Sequence, residues 1–135
     1  MSNKIIIFSD GGARGNPGPG GIGAVLKNES GETIAPVSEF LGVCTSNQAE
    51  YKALIAALQK AEDIGAEELF CNLDSELVVK QLKGEYKVKD KELAKLFVKI
   101  YNLSLKFKKI SYKHIRREFN KEADALANEA MDRGR

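Results

Sequence analysis

The sequence has few cysteines, one histidine and no long apolar run, and these absences exclude several classes of protein. Its two cysteines, Cys44 and Cys71, form no CxxC or Cys/His pattern. This excludes a disulfide-rich secreted scaffold and favours two reduced thiols in the core. No apolar run approaches the roughly 20 residues of a membrane-spanning helix, so no membrane partner is expected. The first residues lead directly into a predicted strand without the pattern of a signal peptide. We therefore expect a cytoplasmic protein.

Length and composition predict one globular domain. Apolar residues make up 43% of the 135 residues, which is an ordinary value for a folded protein with its own hydrophobic core. The sequence contains no internal repeat and no stretch with the composition of a linker. We expect residues 1–135 to form a single domain that acts as a monomer.

The charge is distributed unevenly along the chain, although the net charge is only +2. Residues 80–121 contain 14 Lys/Arg and 4 Asp/Glu, a net charge of +10. Residues 1–79 contain 5 Lys/Arg and 11 Asp/Glu, a net charge of −6. A basic region beside acidic residues suits a polyanion that approaches a metal site. The alternative is an ordinary solvated face rich in lysine.

The pattern of apolar residues and turn signals predicts five strands and four helices. The strands are expected at 4–9, 22–29, 32–43, 68–73 and 108–115. The helices are expected at 48–64, from Ser75 to Leu82, from Asp90 to Leu105, and from Asn120 to about Arg133. A hairpin followed by alternating helices and strands predicts an α/β fold, in which a five-stranded mixed sheet is flanked by helices.

Four carboxylates lie at the expected ends of these elements: Asp10, Glu50, Asp74 and Asp124. If the two strands that end in aspartate are neighbours, the four side chains meet at one edge of the sheet. Close negative charges repel, and a set of oxygen ligands suits hard divalent ions such as Mg²⁺. Taken singly, each has a simpler explanation as a turn residue, a helix-dipole charge or, for Glu50, a capping box with Asn47.

The glycine-rich segment 10–21 is expected to form a wide turn. Gly18, Gly20 and Gly23 match the pattern GxGxxG, but a dinucleotide-binding fingerprint opens a helix and a strand is expected here. Two explanations remain open. The glycines either belong to a hairpin-type connection or let a sugar-phosphate backbone approach closely.

Four segments together resemble the motifs of type 1 ribonuclease H, in the order of that family. They are residues 8–20 (FSDGGARGNPGPG), 45–50 (TSNQAE), 73–75 (LDS) and 120–127 (NKEADALA). The resemblance covers nearly the whole chain and implies the ribonuclease H fold. It also implies hydrolysis of the RNA strand in RNA–DNA hybrids by a two-metal mechanism, with two Mg²⁺ ions about 3.5–4 Å apart and Mn²⁺ as a substitute.

The resemblance also assigns residues to roles. Asp10, Glu50, Asp74 and Asp124 match the metal-binding catalytic carboxylates. The expected contacts to nucleic acid come from the glycine-rich segment and from the start of the first helix: Gly11, Gly12, Arg14, Asn16, Thr45, Ser46 and Asn47.

The sequence departs from the family's bacterial members in two places. Those members carry a catalytic histidine before the last aspartate. Here Arg117 is expected to assist catalysis from a mobile loop, whereas His114 is expected to lie within the fifth strand with a structural role. Counting back from Asp124 also places His114 at the family's histidine position, so His114 is the alternative auxiliary group. The basic insertion helix of some members is absent, so Lys83, Lys87 and Lys89 are expected to bind the substrate instead. The alternatives are a binding module with a decayed site and a DNA-cutting nuclease on the same fold.

Overall fold

A computed structural model describes residues 3–135 of the chain. The strands run over Lys4–Ala13 (β1), Gly18–Lys27 (β2), Thr33–Cys44 (β3), Glu68–Leu73 (β4) and Lys109–His114 (β5). The helices run over Ser46–Asp63 (α1), Glu76–Leu82 (α2), Lys91–Ser104 (α3) and Lys121–Arg133 (α4), with a short 3-10 helix at Arg117–Phe119. All nine predicted strands and helices are confirmed, with boundaries that shift by a few residues.

The five strands form one mixed sheet in the order β3-β2-β1-β4-β5. Strand β1 pairs antiparallel with β2, and β2 with β3, whereas β1–β4 and β4–β5 are parallel. The predicted α/β fold is therefore confirmed. The β1–β4 register aligns Ser9 with Leu73, so the next residues, Asp10 and Asp74, emerge side by side at one edge of the sheet.

Helices cover both faces of the sheet. Successive side chains of a strand point to opposite faces. Gly11 faces helix α1, and Gly23, which pairs with Asp10, faces helix α4. The main core lies between the sheet and α1, where Ile7, Leu54 and Leu58 are fully buried. Asp10 thus points toward the side of the sheet that carries α4 and its Asp124.

The glycine-rich segment is not the wide turn that the sequence predicted. Strand β1 continues to Ala13 and β2 begins at Gly18, so only residues 14–17 connect them. A Cβ atom on Gly11 would lie 2.3 Å from the backbone carbonyl carbon of Ala49, and one on Gly23 would lie 2.2 Å from the carbonyl oxygen of Ala123. These two glycines therefore allow α1 and α4 to pack directly on the strands. The prediction was wrong because it took the glycines as turn residues. Their role in close helix packing depends on residues distant in the sequence.

The capping hydrogen bonds at the starts of two helices also differ from the prediction. Helix α1 begins with a capping box between Thr45 and Gln48, not between Asn47 and Glu50. Asn120 precedes α4 as predicted, but its side chain makes no capping hydrogen bond. In contrast, Ser75 and Asp90 cap α2 and α3 as expected. Both Glu50 and Asn120 are thereby free for contacts elsewhere.

Candidate active site

The four predicted carboxylates come together at one edge of the sheet. One oxygen from each of Asp10, Glu50 and Asp74 lies within 4.8 Å of the other two. Asp124, in the first turn of α4, lines the same cleft, and its negative charge helps to raise the pKa of Asp10. Residues separated by up to 114 positions in the sequence therefore form one acidic cluster.

Glu50 reaches this cluster from the second turn of helix α1. Its Oε1 accepts a hydrogen bond from the backbone N–H of Gly11 at 3.2 Å, a contact made possible by the close packing of α1 on β1. Its Oε2 is buried and has no hydrogen-bond partner among residues 3–135. A buried carboxylate oxygen without a partner is costly, and a bound cation would satisfy it.

The cluster perturbs the ionisation of its two most buried members. Burial, with the negative charges of Asp74 and Asp124, raises the pKa of Asp10 to about 7, although a hydrogen bond with Glu50 opposes the shift. Burial and the neighbouring Asp10 hold the pKa of Glu50 well above its ordinary value. Without a compensating cation, the cluster therefore retains protons near neutral pH.

The donor set fits a hard divalent cation. Every potential ligand atom is a carboxylate oxygen, the set preferred by Mg²⁺ and related ions. The raised pKa of Asp10 shows that the negative charges of the cluster lack a compensating positive charge, which a cation would supply. The cation would also give Oε2 of Glu50 a partner. The residues present therefore fit a divalent metal site held by Asp10, Glu50, Asp74 and Asp124.

The carboxylates lie in an open cleft of about 470 Å³, which we call the acidic cleft. Besides the four carboxylates, its lining includes the following predicted site residues: Gly11, Gly12, Arg14, Ser46, Asn47 and Arg117. Arg14 also forms an ion pair with Asp132 at 2.5 Å. The cleft thus combines negative ligands with two arginine side chains.

Other predicted contact residues do not line the cleft. Asn16 Oδ1 accepts a hydrogen bond from the backbone N–H of Ser46 at 3.1 Å, which joins the β1–β2 turn to the start of α1. The Thr45 hydroxyl accepts from the N–H of Gln48. Lys83, Lys87 and Lys89 are exposed on the connection between α2 and α3. Their predicted roles in binding stay predictions.

The segment before α4, expected from the sequence to be a mobile loop, contains a short 3-10 helix, and its mobility stays a prediction. Arg117 opens the 3-10 helix, whose backbone is held by the N–H of Asn120 bonding to the carbonyl of Arg117. Arg117 lines the acidic cleft and forms no ion pair within residues 3–135. His114 ends β5 as predicted, but it is exposed and makes no hydrogen bond there. The structural role expected for His114 stays a prediction.

Two residues of the site were not recognised from the sequence. Asn120 was assigned only as a helix cap, yet it donates a hydrogen bond to Asp74 in the cluster. Asn128 lines the acidic cleft, and its amide donates to the backbone carbonyl of Asp124 at 3.0 Å. Asn120 lies within the fourth motif, which was a usable signal. Nothing in the local pattern distinguishes Asn128 from other polar helix residues.

A mixed sheet of this strand order, with an acidic cluster where its two central parallel strands end, defines the ribonuclease H-like class. Comparison with known proteins agrees. A family profile described as reverse transcriptase-like matches residues 8–130. The bifunctional protein Rv2228c of Mycobacterium tuberculosis is 45% identical over 130 residues, which are 96% of this chain and 36% of that protein. Ribonuclease HI of Halobacterium salinarum is 43% identical over 129 residues, 96% of this chain and 65% of that protein.

Solved structures give the same result. The N-terminal RNase H domain of Rv2228c superimposes with a TM-score of 0.96 at 44% identity, over 98% of this chain and 96% of that one. LC11-RNase H1 in complex with an RNA/DNA hybrid gives a TM-score of 0.92 at 45% identity, over 96% and 97% of the two chains. The chain belongs to the type 1 ribonuclease H family. It spans about a third of the length of Rv2228c and just under two thirds of the haloarchaeal enzyme.

No helix within residues 3–135 combines the length and apolarity needed to cross a membrane.

Proposed function

We propose that residues 1–135 form a single ribonuclease H domain that hydrolyses the RNA strand of RNA–DNA hybrids with the help of divalent metal ions. The observation that carries the proposal is the acidic cluster, in which three carboxylates approach within 4.8 Å and Asp10 has a pKa of about 7. The solved complex of the relative LC11-RNase H1 with an RNA/DNA hybrid supports the substrate.

Asp10, Glu50, Asp74 and Asp124 would hold two ions. When bound, such ions supply a more acidic attacking water and stabilise the charge on the leaving 3′ oxygen. The chain itself contributes position. The N–H of Gly11 holds Oε1 of Glu50, which leaves Oε2 to face a cation and the 2′-hydroxyl that distinguishes RNA from DNA. Rigid placement of these oxygens is the main catalytic contribution expected from the protein.

In this proposal the substrate backbone is bound by groups outside the lining of the acidic cleft. Because Asn16 Oδ1 already accepts from Ser46, its amide N–H₂ is left to donate to a phosphate of the DNA strand. The Thr45 hydroxyl accepts from Gln48 and retains its own proton for the same purpose. Lys83, Lys87 and Lys89 add positive charge. These groups address phosphates, so binding is expected to be independent of base sequence.

Arg117 is the auxiliary group of this proposal. It lines the acidic cleft from the 3-10 helix, and its guanidinium carries a positive charge. That charge would stabilise the phosphate as negative charge develops on it. His114 is outside the cleft lining and receives no role in the reaction.

The direct experiment is a cleavage assay with four labelled duplexes of one sequence: an RNA–DNA hybrid, double-stranded DNA, double-stranded RNA and a hybrid with a single ribonucleotide. We expect the hybrid to be cut in its RNA strand with Mg²⁺ and to remain intact with EDTA. Asp10→Asn should be inactive, whereas the control Asp63→Asn, an exposed carboxylate at the end of α1, should match the wild type. Cutting of double-stranded DNA instead would indicate another nuclease on this fold, and metal-independent binding without cleavage would indicate a decayed site.

Three finer statements are part of the proposal. Mg²⁺ is the expected ion, with Mn²⁺ as a substitute, because the ligands are all carboxylates. The protein is expected to be a monomer. A cytoplasmic location agrees with two free, buried cysteines, Cys44 and Cys71, because reducing compartments keep thiols unpaired.

A further inference from the structure

Asn120 occupies an unusual position between three parts of the site. Its side chain is buried, with a relative exposure of 1%. Its Nδ2 donates one hydrogen bond to the backbone carbonyl of Ser9 at 2.9 Å and a second to Oδ2 of Asp74 at 3.1 Å. A residue at this helix position normally bonds to its own first turn, but Asn120 makes no such bond. Its side chain instead bonds to a residue of β1 and to the residue that follows β4.

The two partners fix the orientation of the Asn120 amide. A backbone carbonyl and a carboxylate are both acceptors, so only the N–H₂ group of Asn120 can face them. An aspartate would place a negative oxygen against two other oxygens. An alanine would leave the Ser9 carbonyl and Asp74 Oδ2 without this donor in a buried place. The site therefore requires an amide at position 120 because two acceptors face it. Helix capping would not require an amide in particular.

These bonds connect the segments that carry three of the four carboxylates. Ser9 directly precedes Asp10 on β1, and Asp74 directly follows β4. The backbone carbonyl of Asn120 accepts the N–H of Asp124 at 3.1 Å, so the same residue starts the helix that bears the fourth ligand. Glu50 is held separately by the N–H of Gly11. One buried side chain thus sets the relative position of β1, β4 and α4.

We propose that Asn120 is a positioning residue for the metal site: its amide holds Asp74 against β1 and the start of α4, so that the carboxylates are spaced for a divalent ion before it binds. This rests on the proposed function, since it assumes that the cluster binds a cation. Outer hydrogen-bond partners of metal ligands typically change metal affinity or activity by about 10–100-fold when they are removed.

The test compares Asn120→Ala and Asn120→Ser with the control Asn72→Ala. Asn72 is a matched control because its Nδ2 also donates to a β1 carbonyl, that of Ile7 at 3.1 Å, from strand β4, but it contacts no carboxylate through that bond. Binding of Mn²⁺ to metal-free protein is measured by calorimetry without substrate. Thermal melting in EDTA follows stability, and steady-state cleavage of a hybrid separates kcat from KM.

We expect the Asn120 variants to bind Mn²⁺ about 10–100-fold more weakly and to lose kcat at low metal concentration. Raising the metal concentration should recover part of that loss. KM for the hybrid should stay close to wild type because the buried amide does not reach the substrate. Asn72→Ala should lower the melting temperature while leaving Mn²⁺ affinity unchanged.

The proposal is overturned if folded Asn120 variants bind Mn²⁺ like the wild type, or if Asn72→Ala weakens Mn²⁺ binding equally. It is also overturned if neither Asn120 variant folds, because the residue is then required for the fold as a whole. Failure of the wild type itself to bind Mn²⁺ or to cut a hybrid would instead refute the proposed function, so the two failures are distinguishable.

Discussion

Replacing Asp10 by asparagine should abolish cleavage and, in the absence of metal, stabilise the protein. Asp10 is 8% exposed and belongs to the acidic cluster. Asparagine has nearly the same shape but no charge. It therefore removes a metal ligand while relieving the repulsion that the cluster suffers when no cation is bound.

The size of the stabilisation follows from the pKa of Asp10. Its value of about 7 in the folded protein lies above the ordinary 3.8, so the folded state binds the proton more tightly than the unfolded state. The contribution of Asp10 to the free energy of unfolding of the metal-free wild type should therefore be highest below pH 4 and fall as the pH rises through about 7. At about 1.4 kcal/mol per pKa unit, the loss from Asp10 amounts to at most about 4 kcal/mol. Glu50 shares the same protons, so the two losses are not independent.

The assay is thermal melting in EDTA from pH 4 to 9, for the wild type, Asp10→Asn and the control Asp63→Asn. For a chain of this size, each kcal/mol corresponds to roughly 3–5 °C in Tm. Asp10→Asn should melt above the wild type at pH 8 and show a flatter dependence on pH. Saturating Mg²⁺ should stabilise only the wild type and the control. Parallel pH curves for Asp10→Asn and the wild type would refute the electrostatic reasoning, and near wild-type cleavage would refute the catalytic assignment.

Three further outcomes are expected. Hybrid binding should weaken steeply with salt, and the plot of log affinity against log salt concentration should fall by roughly 0.7–0.9 per neutralised phosphate. Reversing the charges of Lys87 and Lys89 should reduce that slope for all base sequences. A flat salt response would show that these lysines belong to a solvated face that does not contact the hybrid. Arg117→Ala should lower turnover more than affinity, whereas His114→Ala should leave turnover unchanged. A large loss of turnover in His114→Ala would reverse the two assignments. Gly11→Ala should destabilise the fold by about 1–3 kcal/mol, as overpacking does, because its Cβ would meet the backbone of α1; unchanged denaturant midpoints would contradict this.

The sequence by itself was sufficient to predict the strands and helices and the identity of the four carboxylates. Strand β4 was predicted at its observed bounds, and α2 and α3 start at the predicted caps, Ser75 and Asp90. These features depend on neighbouring residues: apolar periodicity, a capping side chain and a glycine after the helix. The order of the motifs then associated Asp10 and Asp124 with one site.

Tertiary structure decided what those local patterns could not. The extent of β1 and β2 depends on helices that pack against Gly11 and Gly23, and the exposure of His114 depends on which elements leave β5 uncovered.

The role of Asn120 is the clearest case. Its sequence position predicted a helix cap, yet its amide bonds to residues 46 and 111 positions away. A side chain chooses among possible partners only after strand register and helix packing have brought them within about 3 Å of it. That choice depends on the competing acceptors in three dimensions, and no local pattern contains it.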